Sequence, residues 1–100
     1  MKVVLTEQAE AEFERIGDNI ASDNPMRAVS FVRELRQRCD GLADMSRAFP
    51  LVPRYEAFGV RRRVHGNYVI LYRIGVDEID VLHIVNAARD LDMLLLSAGE

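Results

Sequence analysis

Gly59-Val60-Arg61-Arg62-Arg63-Val64-His65-Gly66-Asn67-Tyr68-Val69-Ile70-Leu71-Tyr72-Arg73-Ile74-Gly75-Val76-Asp77 is the stretch on which the fold turns. Gly66-Asn67, set between two runs rich in β-branched and aromatic residues, reads as a tight hairpin turn, and Gly75-Val76-Asp77 as a second turn. The spacing predicts strands over 60–65, 68–74 and 78–85, and so a β-meander. Residues 68–72 and 81–85 are too continuously apolar for strands wetted on one face, which puts both at the centre of a sheet covered on its two sides. Along the first strand, neighbouring side chains point to opposite faces. Arg61, Arg63 and His65 therefore share one side and Arg62 takes the other.

Upstream the pattern is helical. Val3-Val4-Leu5 is a short strand candidate, and Thr6 is a good N-cap with Glu7 and Glu10 in the first turn behind it. Ala9, Phe13, Ile16 and Ile20 form one apolar stripe, with Glu10, Glu14 and Asp18 outside it. Ser22-Asp23-Asn24-Pro25 stops this helix and starts the next, Asn24 as N-cap and Pro25 at the first helical position. Ala28, Phe31, Leu35, Cys39, Leu42 and Met45 carry the second stripe, and Phe49-Pro50-Leu51-Val52-Pro53 ends it. Downstream of the meander, Leu91, Leu94, Leu95 and Ala98 fall on one helical face, while Met93 and Leu96 lie off it without an evident owner. The expected architecture is a single α+β domain over residues 1–100, in the order β-α-α-β-β-β-α. An N-terminal helical hairpin packs on an antiparallel sheet, and a short helix closes the chain.

One hundred residues leave room for one domain. The formal charge of -3 is unevenly spread. Residues 27–76 hold ten arginines against Glu34, Asp40, Asp44 and Glu56, for +6, while both ends are acidic. Arginine suits planar pairing with carboxylate or phosphate, but with an overall pI near 5.4 an acidic polypeptide is a better partner for this block than duplex nucleic acid. No direct, specific nucleic-acid binding is expected. No apolar run approaches the roughly 20 residues that span a bilayer, and the first residues lack a signal-peptide apolar region, so a cytoplasmic location is expected, away from membranes.

The chemistry-bearing residues point to no enzyme by themselves. There is no Gly-rich phosphate loop and no His/Cys ligand cluster, so neither a metal nor a cofactor is expected. His65, beside a turn, reads as solvated. His83, in an apolar strand, reads as a hydrogen-bonded interior histidine without a nucleophile to serve. Cys39 reads as core. The triple arginine reads equally well as a binding site or as an edge strand blunted by charge.

A resemblance goes further. Pro25, Ala28, Phe31, Leu35 and Leu42 in the hairpin, then Val60-Arg61-Arg62, Tyr68-Val69-Ile70-Leu71-Tyr72-Arg73 and Val81-Leu82-His83-Ile84-Val85-Asn86-Ala87-Ala88-Arg89-Asp90, resemble the ParE/RelE superfamily of toxins from bacterial toxin-antitoxin operons. The Tyr-Val-Ile-Leu-Tyr-Arg strand and Ala88-Arg89-Asp90 bring it nearest the ParE branch. Asn86 departs from a frequent histidine there and His83 from a frequent cation. The resemblance implies a type II toxin that inhibits DNA gyrase and blocks replication without being an enzyme, bound in a hetero-oligomer by a ParD-like antitoxin with an acidic tail. The alternative it implies is a RelE-like ribosome-dependent mRNA endonuclease. In such nucleases, cations on the first two meander strands, an arginine after the last strand and a C-terminal tyrosine do the work. Arg62 and Arg89 match two of these positions, whereas Val69 and Leu95 stand at the others. No catalytic residue is therefore assigned, and Arg61, Arg62, Arg63, Arg73, Arg89, Met93 and Leu96 are expected to contact antitoxin or target.

Overall fold

The computed structural model describes residues 1–88. Lys2–Leu5 forms β1, and Thr6 turns the chain directly into α1, Glu7–Ala21. The Thr6 hydroxyl accepts from the Ala9 N–H and donates to the Val81 carbonyl, so one side chain caps the helix and ties it to the sheet. Asn24 caps α2, Pro25–Asp40, by accepting from the Arg27 N–H, with Pro25 in the first turn as expected. The second helical stripe does not run unbroken to Met45. The backbone leaves the helix at Gly41, and Leu42–Met45 forms a separate short α3. A single 3-10 turn, Glu56–Phe58, precedes the meander strands β2 (Val60–His65), β3 (Tyr68–Ile74) and β4 (Glu78–Asn86).

The sheet order is β1-β4-β3-β2, which makes β3 and β4 central. The meander is antiparallel, as its turns require; Gly66, first of the two residues joining β2 to β3, has φ of 61°, the sign a type II′ turn demands there. β1 adds parallel to β4, so the complete sheet is mixed rather than wholly antiparallel. Between β3 and β4 the register shifts, Leu71 facing His83 and Tyr72 facing Val81, which leaves Leu82 as the extra residue of a bulge. The bulge lets Val81 and Ile84 both face the helices although they stand three residues apart.

Two apolar layers follow. On one face Ile70, Tyr72, Ile79, Val81 and Ile84 pack against Ala9, Phe13, Ile16, Phe31, Leu35, Cys39 and Leu42 from the helices. On the other, Val69, Leu71 and Val85 are covered by Val52, with Tyr55 and Val60 beside it. Segment 51–58 thus covers part of the sheet face that the helices leave open, and the middle of the central strands, residues 69–72 and 84–85, is buried on both sides. The C-terminal helix expected from Arg89 onward lies outside the described residues. Among the described residues, no helix is long and apolar enough to cross a membrane.

Candidate functional site

Alternation along β2 divides its arginines as the strand period requires. On the helix side, Arg61 Nη1 donates to the Phe49 carbonyl at 2.6 Å, and Arg63 Nη1 donates to the Arg38 carbonyl at 2.9 Å while its guanidinium lies 4.6 Å over the Phe49 ring. Arg38 is in the last turn of α2, where carbonyls lack helical partners and a cation is favoured. Arg63 therefore fastens the end of α2 to the sheet. Its burial, and next the nearby Arg38 charge, lower its pKa from the ordinary arginine value.

Arg62 and Arg73 are exposed on the opposite face. They are diagonal neighbours, because Arg62 pairs with Leu71 and Val60 with Arg73. Neither makes a side-chain hydrogen bond or ion pair with any described residue. Asp80 is the cross-strand neighbour of Arg73 but forms no ion pair with it. In fact none of Arg61, Arg62, Arg63 or Arg73 has a carboxylate within ion-pair distance among the described residues. Beside them Phe58 is 64% exposed, its ring 6.3 Å from that of Tyr55. The outcome is a positively charged, partly apolar surface around β2 and the 3-10 turn. Arg89, Met93 and Leu96, expected to belong to the same surface, lie outside the described residues.

The outer edge of β2 is partly occupied by the chain itself. Leu51 bridges to Arg61, the Arg62 N–H donates to the Pro50 carbonyl at 3.1 Å, and the Val52 N–H donates to the Val60 carbonyl at 2.8 Å. Val69, the position at which a RelE-like nuclease would set a cation, is buried in the outer apolar layer with Leu71 and Val85.

The two histidines are both held by carboxylates. His65 is not solvated as its place beside the turn suggested. Its ring stacks on Phe31 at 5.4 Å, and Nε2 lies 3.3 Å from Glu34 Oε1, near enough for an ion pair but poorly aligned for a hydrogen bond. Arg27, at 2.7 Å from Glu34, is the main reason that carboxyl sits below the usual carboxylate range. His83 is bonded as expected, its Nδ1 3.2 Å from Glu12 Oε2, but it is only partly buried rather than interior, its side chain 30% exposed. Glu12, which sequence reading passed over, is buried, and its Oε1 accepts from the Ile84 N–H at 2.9 Å. It serves the edge of β4 beyond Leu5, where β1 has ended. Its signal was its spacing: Glu12 stands between Ala9 and Phe13 on the buried stripe of α1.

No described serine, threonine or cysteine side chain bonds either histidine, so no nucleophile–base pair is present among these residues. Cys39 is fully buried, and burial pushes its thiol up to about 12. No group of three potential ligands is placed to hold a metal among the described residues.

A family model described as the ParE toxin of type II toxin-antitoxin system, parDE, matches residues 3–91. The chain belongs to the ParE toxin family. This ParE-family chain is also similar to a solved structure, the chromosomal ParDE toxin-antitoxin system from P. aeruginosa. The TM-score is 0.73 at 22% identity, covering 86% of this chain and 95% of that one. At that identity the likeness carries the fold, and it agrees with the α+β architecture described above. No curated protein matches the chain. The ParE family assignment and the hairpin-and-sheet scaffold agree.

Proposed function

We propose that this ParE-family chain is the toxin of a type II pair that binds DNA gyrase and blocks replication, that a ParD-like antitoxin neutralises it, and that it acts in the cytoplasm without being an enzyme. The observation that carries this reading is Val69. A ribosome-dependent nuclease of the related RelE type needs a cation there to stabilise the charge developing on phosphate. Here that position is 2% exposed and filled by an apolar side chain packed against Leu71 and Val85. A charge could be placed there only by breaking the outer layer of the core.

In this reading Arg62 and Arg73 contact the target or the antitoxin directly, joined by Arg89, Met93 and Leu96. Arg61 and Arg63 contribute positive field while their guanidinium groups hold the end of α2 and the Phe49 backbone. The test uses the purified full chain with gyrase and plasmid DNA, and in parallel with ribosome-bound mRNA. Depressed supercoiling with accumulated cleaved DNA and intact mRNA is the expected result. Cut mRNA with unaffected gyrase would overturn the reading. If Met93→Ser and Leu96→Ser change neither antitoxin affinity nor toxicity, those two residues are not contacts.

A further inference from the structure

We propose that the outward face of the helical hairpin, α1 beside α2, is a self-association surface on which a second copy of this chain docks about a two-fold axis. The inference goes beyond the gyrase reading and does not depend on it.

The two helices carry opposite charge. α1 holds five acids against Arg15, whereas α2 holds four arginines against Glu34 and Asp40. Glu34 is already engaged by Arg27 at 2.7 Å. Glu14 and Asp18 on α1 and Arg33 on α2 are exposed, and none of the three forms an ion pair with any described residue. Beside Arg33, Val29 is 60% exposed and Met26 85%, one turn apart on a helix whose Ala28, Phe31 and Leu35 are buried. The attraction between the two rails is visible within one copy. Arg36 reaches Glu10 at 3.8 Å while its guanidinium lies 5.0 Å from the centre of the Phe13 ring.

Charge decides how two such faces meet. A two-fold axis lying across the helices sets α1 on α1 and α2 on α2, like charge on like. An axis running along them sets α1 of each copy over α2 of the other, with levels along the hairpin preserved. The levels follow from Gly17, where an added Cβ would lie 3.3 Å from Val32 Cγ2, so that residue 17 stands beside residue 32 in an antiparallel pair. Glu14 of one copy then falls level with Arg33 and Arg36 of the second, and Asp18 level with Arg33 and Val29. Each contact occurs twice. Val29 and Met26 add the apolar area that exposed ion pairs alone lack. The β2 face offers no such match, because its arginines would meet their own kind. The hairpin face measures roughly 24 Å by 20 Å, smaller than the roughly 800 Å² per partner of a standard interface, so a weak dimer with Kd about 10–100 μM is expected.

Sedimentation velocity on the purified full chain, from about 1 to about 500 μM in about 50 mM salt, should show a reversible monomer–dimer equilibrium that about 500 mM salt weakens tenfold or more. Arg33→Glu and Glu14→Arg should each weaken it about tenfold or more, and mixing the two variants should restore a dimer, since each then meets the charge it lacks. Val29→Ser should weaken it as well. Arg62→Glu, the same charge change made on β2, should leave it intact. In the wild-type protein, NMR amide signals of residues 26–36 should shift with concentration while those of residues 60–65 stay in place, a readout that needs no variant to fold. A chain still monomeric at the highest concentration in low salt overturns the proposal. So does a dimer that Arg62→Glu abolishes and Arg33→Glu spares, a mixture of the two charge variants that stays monomeric, or concentration-dependent shifts confined to residues 60–65.

Discussion

Tyr72 shows how single polar atoms discipline this core. Its ring is fully buried between the layers, and its hydroxyl donates to the Ser46 carbonyl at 2.6 Å, linking β3 to the residue that follows α3. Tyr72→Phe should cost about 1 kcal/mol in urea unfolding, the worth of one bond with its acceptor left behind. Glu12→Ala should cost about 1–3 kcal/mol in the same measurement, because it strands the Ile84 N–H. Cys39 makes a pH prediction. Its pKa is raised from 9.0 to about 12 by burial, so between these values the unfolded chain has lost the proton that the folded chain keeps. Stability from this group is complete below pH 9 and declines as pH rises toward 12. Tyr72, also raised by burial, adds to the loss at the alkaline end. The thermal midpoint should therefore fall above pH 9, less steeply in Cys39→Ala, and thiol reagents at pH 8 should leave the native protein unmodified. Of these residues, Cys39 was legible as core from its helical spacing. Glu12 was not, because a carboxylate on a buried stripe becomes intelligible only when a strand edge supplies its N–H.

Among the elements, the helical hairpin was the most readable, since Asn24-Pro25 states both a cap and a first turn. Asn24→Ala should cost about 1 kcal/mol of stability in thermal unfolding. β2 and β3 were readable from Gly66-Asn67, and the central place of β3 and β4 from their unbroken apolar runs. Three things were not. Val3-Val4-Leu5 carries no mark of which strand it joins or in which direction, so its parallel addition to β4 required the fold. The break at Gly41 falls inside an otherwise continuous stripe. The role of segment 51–58 as cover for the outer face depends on long-range packing of Val52 and Tyr55, which no local pattern expresses. Phe31 ties the elements together, meeting His65, Tyr68 and the Arg27 guanidinium. Phe31→Ala should lose about 3–5 kcal/mol and free His65, visible as a sharpened, shifted imidazole resonance in NMR spectra.

For the whole molecule, the segmental charge pointed to a basic middle segment but not to how its arginines divide between the two faces of β2. The fold turns Arg61 and Arg63 inward onto backbone carbonyls and leaves Arg62 and Arg73 facing outward without a carboxylate partner among the described residues. Arg62→Glu with Arg73→Glu should leave the thermal midpoint within about 0.5 kcal/mol of stability of the parent, as surface changes do, while reducing growth arrest when the chain is induced in a host without antitoxin. The measurement that bears most directly on function is a titration of the purified chain against a fixed amount of gyrase on plasmid DNA, with ribosome-bound mRNA assayed alongside. A protein that acts by occupying its target should inhibit supercoiling in proportion to the amount added, level off once gyrase is saturated, and leave the mRNA whole. Gyrase running at full rate under saturating protein, while a trace of the same preparation cuts mRNA with turnover, would contradict the account.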